Sequence, residues 1–356
     1  MNFEKSSQLD KVRRYDVNKY GLFALTADLK IPQLPDIDPE SLGFRKNGTS
    51  IKLCGDFLIV QDTDGRELLY DHKSCKVLYQ HLEGNTDCYG LGSGGIGSDR
   101  TICFSKTIDG SRKVCILNAD SFEFTEFSVP FSVIFGDGEV LLRRELTPPS
   151  VSRITREGRE LWKHSIEGTY PNVFKNSPEK PNRLSRILGL HGQLLWLADL
   201  SKELYALDID TGVIVFSTFD AGPANKFSLD KKHNRLVSLT SEHLRTVDLS
   251  DDKFELSEIE MGEVFKKLDI RPDISGSQFP LVDTHFVFGD KFKSVIGTVR
   301  IDNGEVDWVY DLFSTRKYAM ITEMRYFADT LYVLDNVGTG AANYPTGSLH
   351  VFDRVF

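Results

Sequence analysis

The sequence predicts an all-β fold: a single seven-bladed β-propeller of four-stranded blades, closed by an N-terminal strand that completes the last blade. Three observations predict it. Short β-rich runs bounded by Gly, Asp, Asn and Ser dominate, and helical periodicity is scarce. One hairpin motif recurs along the chain. No linker or shift of composition divides the 356 residues.

The runs come first. FLIVQD (57–62), KVCILN (113–118), EVLLRRE (139–145), QLLWLAD (193–199), ELYALDID (203–210), RLVSLT (235–240), SVIGTVRID (294–302) and TLYVLDN (330–336) are strand-like. Short strands separated by turn residues indicate a sandwich, a barrel or a propeller. A repeat decides between them.

The repeat is a hairpin. In LDIDTGVIVF (207–216) a strand ends in Asp, a turn ends in Gly212, and an aromatic, Phe216, follows four residues later. RIDNGEVDW repeats this with Gly304 and Trp308, and ITREGRELW with Gly158 and Trp162. YDHKSCKVLY places Cys75 in the Gly slot and Tyr79 in the aromatic slot; VDLSDDKFEL places Asp252 and Leu256 there. LNADSFEF fits loosely, with Phe122 in the turn slot. Gly in that slot permits a positive φ in a tight hairpin. The slots fall at 75, 122, 158, 212, 252 and 304, so the intervals are 47, 36, 54, 40 and 52 residues. Intervals near 45 match four-stranded blades, and seven such units need about 315 residues.

The termini supply the seventh unit. ITEMRYFA (321–328), TLYVLDN (330–336) and SLHVFDRV (348–355) read as three successive strands, and YGLFALTADL (20–29) is the expected fourth. Residues 1–19 are then an N-terminal extension, and 20–356 the propeller. Ring closure protects sheet edges.

The hairpins resemble the repeats of the quinoprotein-like (PQQ-type) and WD40-like β-propellers. Asp208, Asp210, Thr211, Gly212 and Phe216 carry the resemblance, as do Asp302, Asn303, Gly304 and Trp308. With Ala206 they approach the A-x-D-x-x-T-G-x-x-x-W pattern. The resemblance implies a propeller fold. It does not extend to PQQ, because no acidic, calcium-binding cofactor site is legible, and it does not reach a true WD40 protein, because no WD or GH signature recurs.

Composition bounds function. A net charge of −9 argues against nucleic acid. No apolar run reaches membrane-spanning length and no secretory h-region opens the chain, so the expected setting is the cytoplasm, as a monomer. Cys54, Cys75, Cys88, Cys103 and Cys115 are odd in number and contain no CxxC, which indicates free thiols rather than a disulfide or zinc framework. The eight histidines form no HxH or HxxxH. GLGSGGIGS (90–98) lacks the GK[ST] ending of a P-loop and opens no helix, so it reads as a blade turn. No GxSxG elbow occurs. No catalytic residue, cofactor or metal ligand is assigned.

Long loops concentrate on one expected face, the top: 30–49, 167–182, 261–277, 146–150 and 337–347. Long irregular loops are often functional. Their prolines lower the entropy lost on binding. Their aromatic and basic residues suit an interface, and Tyr170, Phe174, Lys175, Phe265, Lys266, Lys267, Arg271 and Tyr344 are the expected partner contacts. The function expected is therefore a non-enzymatic protein-binding module. Its concrete form is a neutralising, immunity-type protein that caps a basic partner. The alternative is a metal-dependent, lactonase-like hydrolase or a small-ligand binder with its site at the central axis.

Overall fold

Apolar runs become strands throughout the computed structural model, with one short α-helix among the described residues. The structure describes all residues except 46–47, 55, 63, 65, 83–94, 97–100, 109–110, 119–120, 122, 129–131, 138–139, 156, 171–178, 220, 223–225, 273–279, 291–292, 313–318, 338–346 and 356.

The chain opens with β1 (Asn2–Asn18) and β2 (Gly21–Thr26). The first four-stranded sheet follows: β3 (Ser50–Cys54), β4 (Phe57–Gln61), β5 (Glu67–Asp71) and β6 (Lys76–His81). The second is β7 (Gly95–Ile96), β8 (Thr101–Ile108), β9 (Ser111–Asn118) and β10 (Phe124–Ser128). The third is β11 (Ser132–Asp137), β12 (Val140–Leu146), β13 (Pro149–Ile154) and β14 (Glu160–Ser165). A short ribbon joins β15 (Thr169–Tyr170) to β16 (Lys180–Pro181). The fourth sheet is β17 (Leu184–His191), β18 (Leu194–Asp199), β19 (Leu204–Asp208) and β20 (Ile214–Thr218). The fifth is β21 (Ser228–Asp230), β22 (Arg235–Leu239), β23 (His243–Asp248) and β24 (Leu256–Glu260). Helix α1 (Gly262–Leu268) precedes the sixth: β25 (Leu281–Val282), β26 (His285–Asp290), β27 (Val295–Arg300) and β28 (Val306–Asp311). Finally β29 (Ala319–Phe327), β30 (Thr330–Val337) and β31 (Gly347–Val355) join β1 and β2 in a five-stranded sheet ordered β2-β1-β31-β30-β29.

Each four-stranded sheet is an antiparallel meander in chain order, as the repeat requires. Among the described residues six such sheets stand where seven were expected; apart from the β15-β16 ribbon, the remaining sheet has five strands. Its composition corrects the expected closure. The strand beside β31 is β1, through pairs from Asn2↔Val355 to Val12↔Gly347. Residues 21–26 turn back and pair with β1 instead. Thus residues 2–18 are strand, although their charge makes them look like an extension. Only Phe3, Val12 and Tyr15 anchor them inward, and register shifts within β1 let its 17 residues follow both partners. Tyr15 donates from its hydroxyl to the Tyr332 carbonyl at 2.9 Å.

Two compact units are distinguishable. One comprises residues 1–62, 69–76 and 232–356; its core includes Phe3, Val237, Phe286, Phe288, Val299, Leu331 and Phe352. The other comprises 63–68 and 77–231; its core includes Leu142, Val151, Trp162, Leu195, Leu197, Tyr205 and Leu207. In the fourth sheet β18 is buried along nearly its whole length, whereas the last strand, β20, is largely exposed. Fully buried strands read as continuous apolar runs, which is why LLWLA does not alternate.

The repeated turn has a specific construction. Asp208 Oδ1 accepts from the Asp210 and Thr211 amides and from the Thr211 hydroxyl, at 3.2, 2.8 and 2.7 Å. These donors, the Thr211 hydroxyl foremost, hold the carboxyl below the usual range. Gly212 then closes the turn at φ +72. A Cβ there would lie 2.7 Å from the Trp162 ring of the preceding sheet. Trp162 Nε1 donates to the Ile209 carbonyl at 2.7 Å, and Arg153 donates to the same oxygen at 3.0 Å. Here the aromatic of the third sheet docks onto the glycine turn of the fourth. Gly304 repeats the close approach, with Ile259 and Met261 as its neighbours. Cys75 occupies its slot at φ 54, as the repeat predicts. The fifth-sheet turn is two residues longer than expected: Phe254, not Asp252, takes the left-handed conformation at φ 52, and Leu256 is exposed.

Candidate functional site: an acidic cleft beside the fourth sheet

Within the second unit, β14 and the segment after it face β18, β19 and β20 across a cleft of about 380 Å³. Its walls include His164, Glu167, Asp199, Glu203, Tyr205 and Ile214. The elements explain the placement. Glu203 and Tyr205 stand two apart around the start of β19 and so share one face. His164 lies near the end of β14, and Asp199 ends β18.

The rim is rigidly built. Asn182 donates through Nδ2 to Asp199 Oδ2 at 2.7 Å and to the Glu167 carbonyl at 3.1 Å. Its Oδ1 accepts from the Arg183 and Ser201 amides. Asp199 Oδ1 accepts from the Ser201 hydroxyl at 2.7 Å and the Glu203 amide at 3.0 Å. Asp199 is therefore a structural carboxylate that also projects negative potential into the cleft.

The inner wall holds unused capacity. Tyr205 is only 3% exposed, yet its buried hydroxyl has no hydrogen-bond partner. Leaving such a group unpaired costs about 1–3 kcal/mol. Burial pushes its phenol well up, helped by the charges of Asp199 and Glu203. Burial also raises the Glu203 carboxyl, against a bond from Ser217 and together with the Asp199 charge. No described cation pairs with Glu203; Lys163, at the cleft edge, is paired with Glu145 at 2.5 Å. The His164 ring stands 5.8 Å from that of Tyr205, and burial lowers its pKa, partly offset by the Glu167 charge. Chemically, the cleft offers hydrogen-bond acceptors and negative charge to a cationic group.

A second cluster joins His243, Glu258 and Glu260, whose ligand atoms lie within 4.8 Å of one another. His243 stands opposite Glu260, and Arg245 opposite Glu258, on β23 and β24. His243 Nε2 is 3.2 Å from Glu260 and 3.4 Å from Glu258, while Arg245 is paired with Glu258. This is a cross-strand ladder of opposite charges, with Arg245 already filling the cation's place.

The expected contact residues separate. Phe174, Lys175 and Tyr344 lie outside the described residues, as does most of the glycine-rich stretch 90–98. Tyr170 is half-buried in β15. Lys266, Lys267 and Arg271 are exposed, and Lys266 bonds Glu263. Phe265 corrects its expected role. It is 1% exposed, its ring stands 5.3 Å from that of Phe288, and it anchors α1 where a loop was expected. It is core, so it offers no surface to a partner. Arg143 and Glu145 are ion-paired with each other and with Glu160 and Lys163 respectively. His285 bonds Asp307 at 2.8 Å, a satisfied strand-end histidine. Sequence reading missed the cleft residues, because Glu203 and Tyr205 look like ordinary positions in ELYALDID. The spacing of an acid and a tyrosine on one strand face was the available signal.

Comparison with known proteins sets the fold. BamB from Moraxella catarrhalis matches 99% of this chain and 100% of its own, with a TM-score of 0.60 at 10% identity. Sqt1 from Saccharomyces cerevisiae matches 99% of each chain, with a TM-score of 0.60 at 12% identity. The β-propeller domain of Cps50 (Swd1) from Myceliophteria thermophila matches 86% of this chain and 96% of its own, with a TM-score of 0.52 at 12% identity.

The chain has the β-propeller fold.

The resemblance to quinoprotein-like and WD40-like propellers holds at that level. No family model matches the chain, and no curated protein matches its sequence. Among the described residues no helix is long and apolar enough to cross a membrane.

Proposed function

We propose that this protein is a non-enzymatic binding module that captures a basic protein partner through the acidic cleft beside its fourth sheet. The observation that carries this reading is the pairing of Tyr205 and Glu203: a buried hydroxyl without a partner beside a carboxylate without a described cation. Lysine or arginine from a partner supplies both needs, and charge-assisted hydrogen bonds are the stronger kind. The net charge of −9 favours encounter with a basic partner. A neutralising role, in which the propeller masks a basic toxin, is the narrower form of the proposal.

The same proposal includes the architecture of the module. The six four-stranded sheets and the five-stranded sheet are taken as seven blades of one closed propeller, with β1 supplying the closing strand.

The test is affinity capture from the cells that make the protein, with wild type and Glu203→Gln in parallel. A stoichiometric basic protein held by wild type and released by the variant supports the reading. Recovery of no stoichiometric partner, or equal retention by both forms, overturns it.

A further inference from the structure

The last strand of the fourth sheet is unlike its counterparts. From Val213 to Phe219 the chain reads VIVFSTF, with no charged residue. The other strands that end four-stranded sheets all carry charge: Lys76 in β6, Glu126 in β10, Glu160 and Lys163 in β14, Glu258 and Glu260 in β24, and Asp307 and Asp311 in β28. Charges on an edge strand discourage pairing with other chains. Here that protection is missing, and Val213, Ile214, Val215 and Phe219 are 62, 47, 52 and 62% exposed. Four large apolar side chains exposed within seven residues form a patch of the kind that marks an interaction site.

Two further observations say what covers it. No described strand pairs with the outer side of β20. The five-stranded sheet shows that this fold accepts a fifth strand, since β2 lies along the edge of β1. The patch is also continuous with the acidic cleft, because Ile214 belongs to both β20 and the cleft wall.

We infer that β20 accepts an extended segment of the partner protein as a fifth strand, with a basic side chain of that segment set beside Glu203 and Tyr205. This rests on the protein-binding reading above and adds its mode. Strand addition draws affinity from backbone hydrogen bonds and specificity from side-chain pockets. Apolar residues of the segment would cover Val213 and Val215. A second copy of this chain is the weaker occupant. Its own acidic cleft would repel the first, and it would bring another net charge of −9 to the contact.

The test uses the full chain and two labelled hexapeptides, acetyl-Thr-Val-Arg-Val-Thr-Val-amide and the same peptide with Glu for Arg. Binding is read by fluorescence anisotropy, and backbone protection by amide exchange. The Arg peptide should bind at least ~10-fold more tightly than the Glu peptide. Exchange across 214–218 should slow on binding. Val215→Lys should weaken binding at least ~10-fold by charging the edge. Its far-ultraviolet spectrum and melting should match wild type, and Val213→Lys replaces it if it does not fold.

Unchanged peptide binding by the Val215→Lys chain, with loss by Glu203→Gln, would overturn strand addition and leave the cleft reading standing. Absence of peptide binding by wild type would overturn the inference, while Glu203-dependent capture of a cellular protein would still stand. A wild-type dimer that Val215→Lys dissociates would assign the edge to a second copy and overturn it too.

Discussion

Replacing Gly212 by alanine tests the construction of the repeat. The residue sits at φ +72, and an alanine Cβ there would meet Trp162 Cδ2 and Cε3 at 2.7 Å and Cγ at 2.9 Å. Ordinary contact begins near 3.4 Å, so the indole must withdraw by about 0.7 Å, the difference between those distances. Trp162 is 9% exposed, and its Nε1 bond to the Ile209 carbonyl is 2.7 Å long. Withdrawal by that amount takes the bond to the edge of hydrogen-bonding range. The left-handed backbone costs alanine about 1 kcal/mol, and a compromised buried hydrogen bond costs about 1–3 kcal/mol. Gly212→Ala should therefore lose about 3 kcal/mol, a large share of an ordinary domain's stability. Gly192→Ala is the control. Its φ is +57 and nothing lies within 4 Å of its Cβ, so it should lose only the backbone share, about 1 kcal/mol. Urea unfolding reads both as shifts of midpoint at constant slope. Equal losses in the two variants would refute the docking of Trp162 onto Gly212 as the reason for glycine there.

Two other outcomes follow from the packing. Burial raises the Glu203 carboxyl, so the folded protein favours its protonated form. That contribution is present below the ordinary carboxylate range and is lost as pH rises through the raised value. Glu203→Gln should accordingly melt higher than wild type at pH 7, and the gap should close below about pH 4, in thermal melts across pH; a variant less stable at pH 7 would contradict the assignment. Asp335 is 6% exposed and accepts from the Ser348 amide at 2.7 Å, with His350 Nε2 at 2.9 Å. Asp335→Ala orphans both buried groups and should cost about 3 kcal/mol in chemical denaturation, and a loss under about 1 kcal/mol would show that neither is truly desolvated.

A residue that binds better than it stabilises is expected at a binding site. Stability and function pull apart where a site keeps groups unpaired for a ligand. Glu203 and Tyr205 are both of this kind. Their neighbours Asn182 and Asp199 are the reverse, with oxygens spent on holding the rim. An acidic residue in the sequence does not reveal which of the two it is. That depends on how many donors the folded chain brings to it.

The sequence by itself determined the class of fold and the rhythm of its strands. Local rules suffice for that: a turn that needs a positive φ selects Gly212 and Gly304, Asp208 and Thr211 bind their own backbone, and strand runs declare themselves by composition. Tertiary structure decided what depends on distant partners. Residues 2–18 look like a solvated extension because most of their side chains are exposed, yet their backbone is paired with β31 and β2. Phe265 looks like an interface aromatic because a short helix between two sheets has no periodic pattern long enough to read, yet its ring is buried against Phe288. The cleft joins residues from 163 to 214, drawn from two sheets, and no local pattern encodes which side chains meet across it. Backbone preferences act over a few residues. Desolvation and charge act through space, and only the folded chain sets those distances.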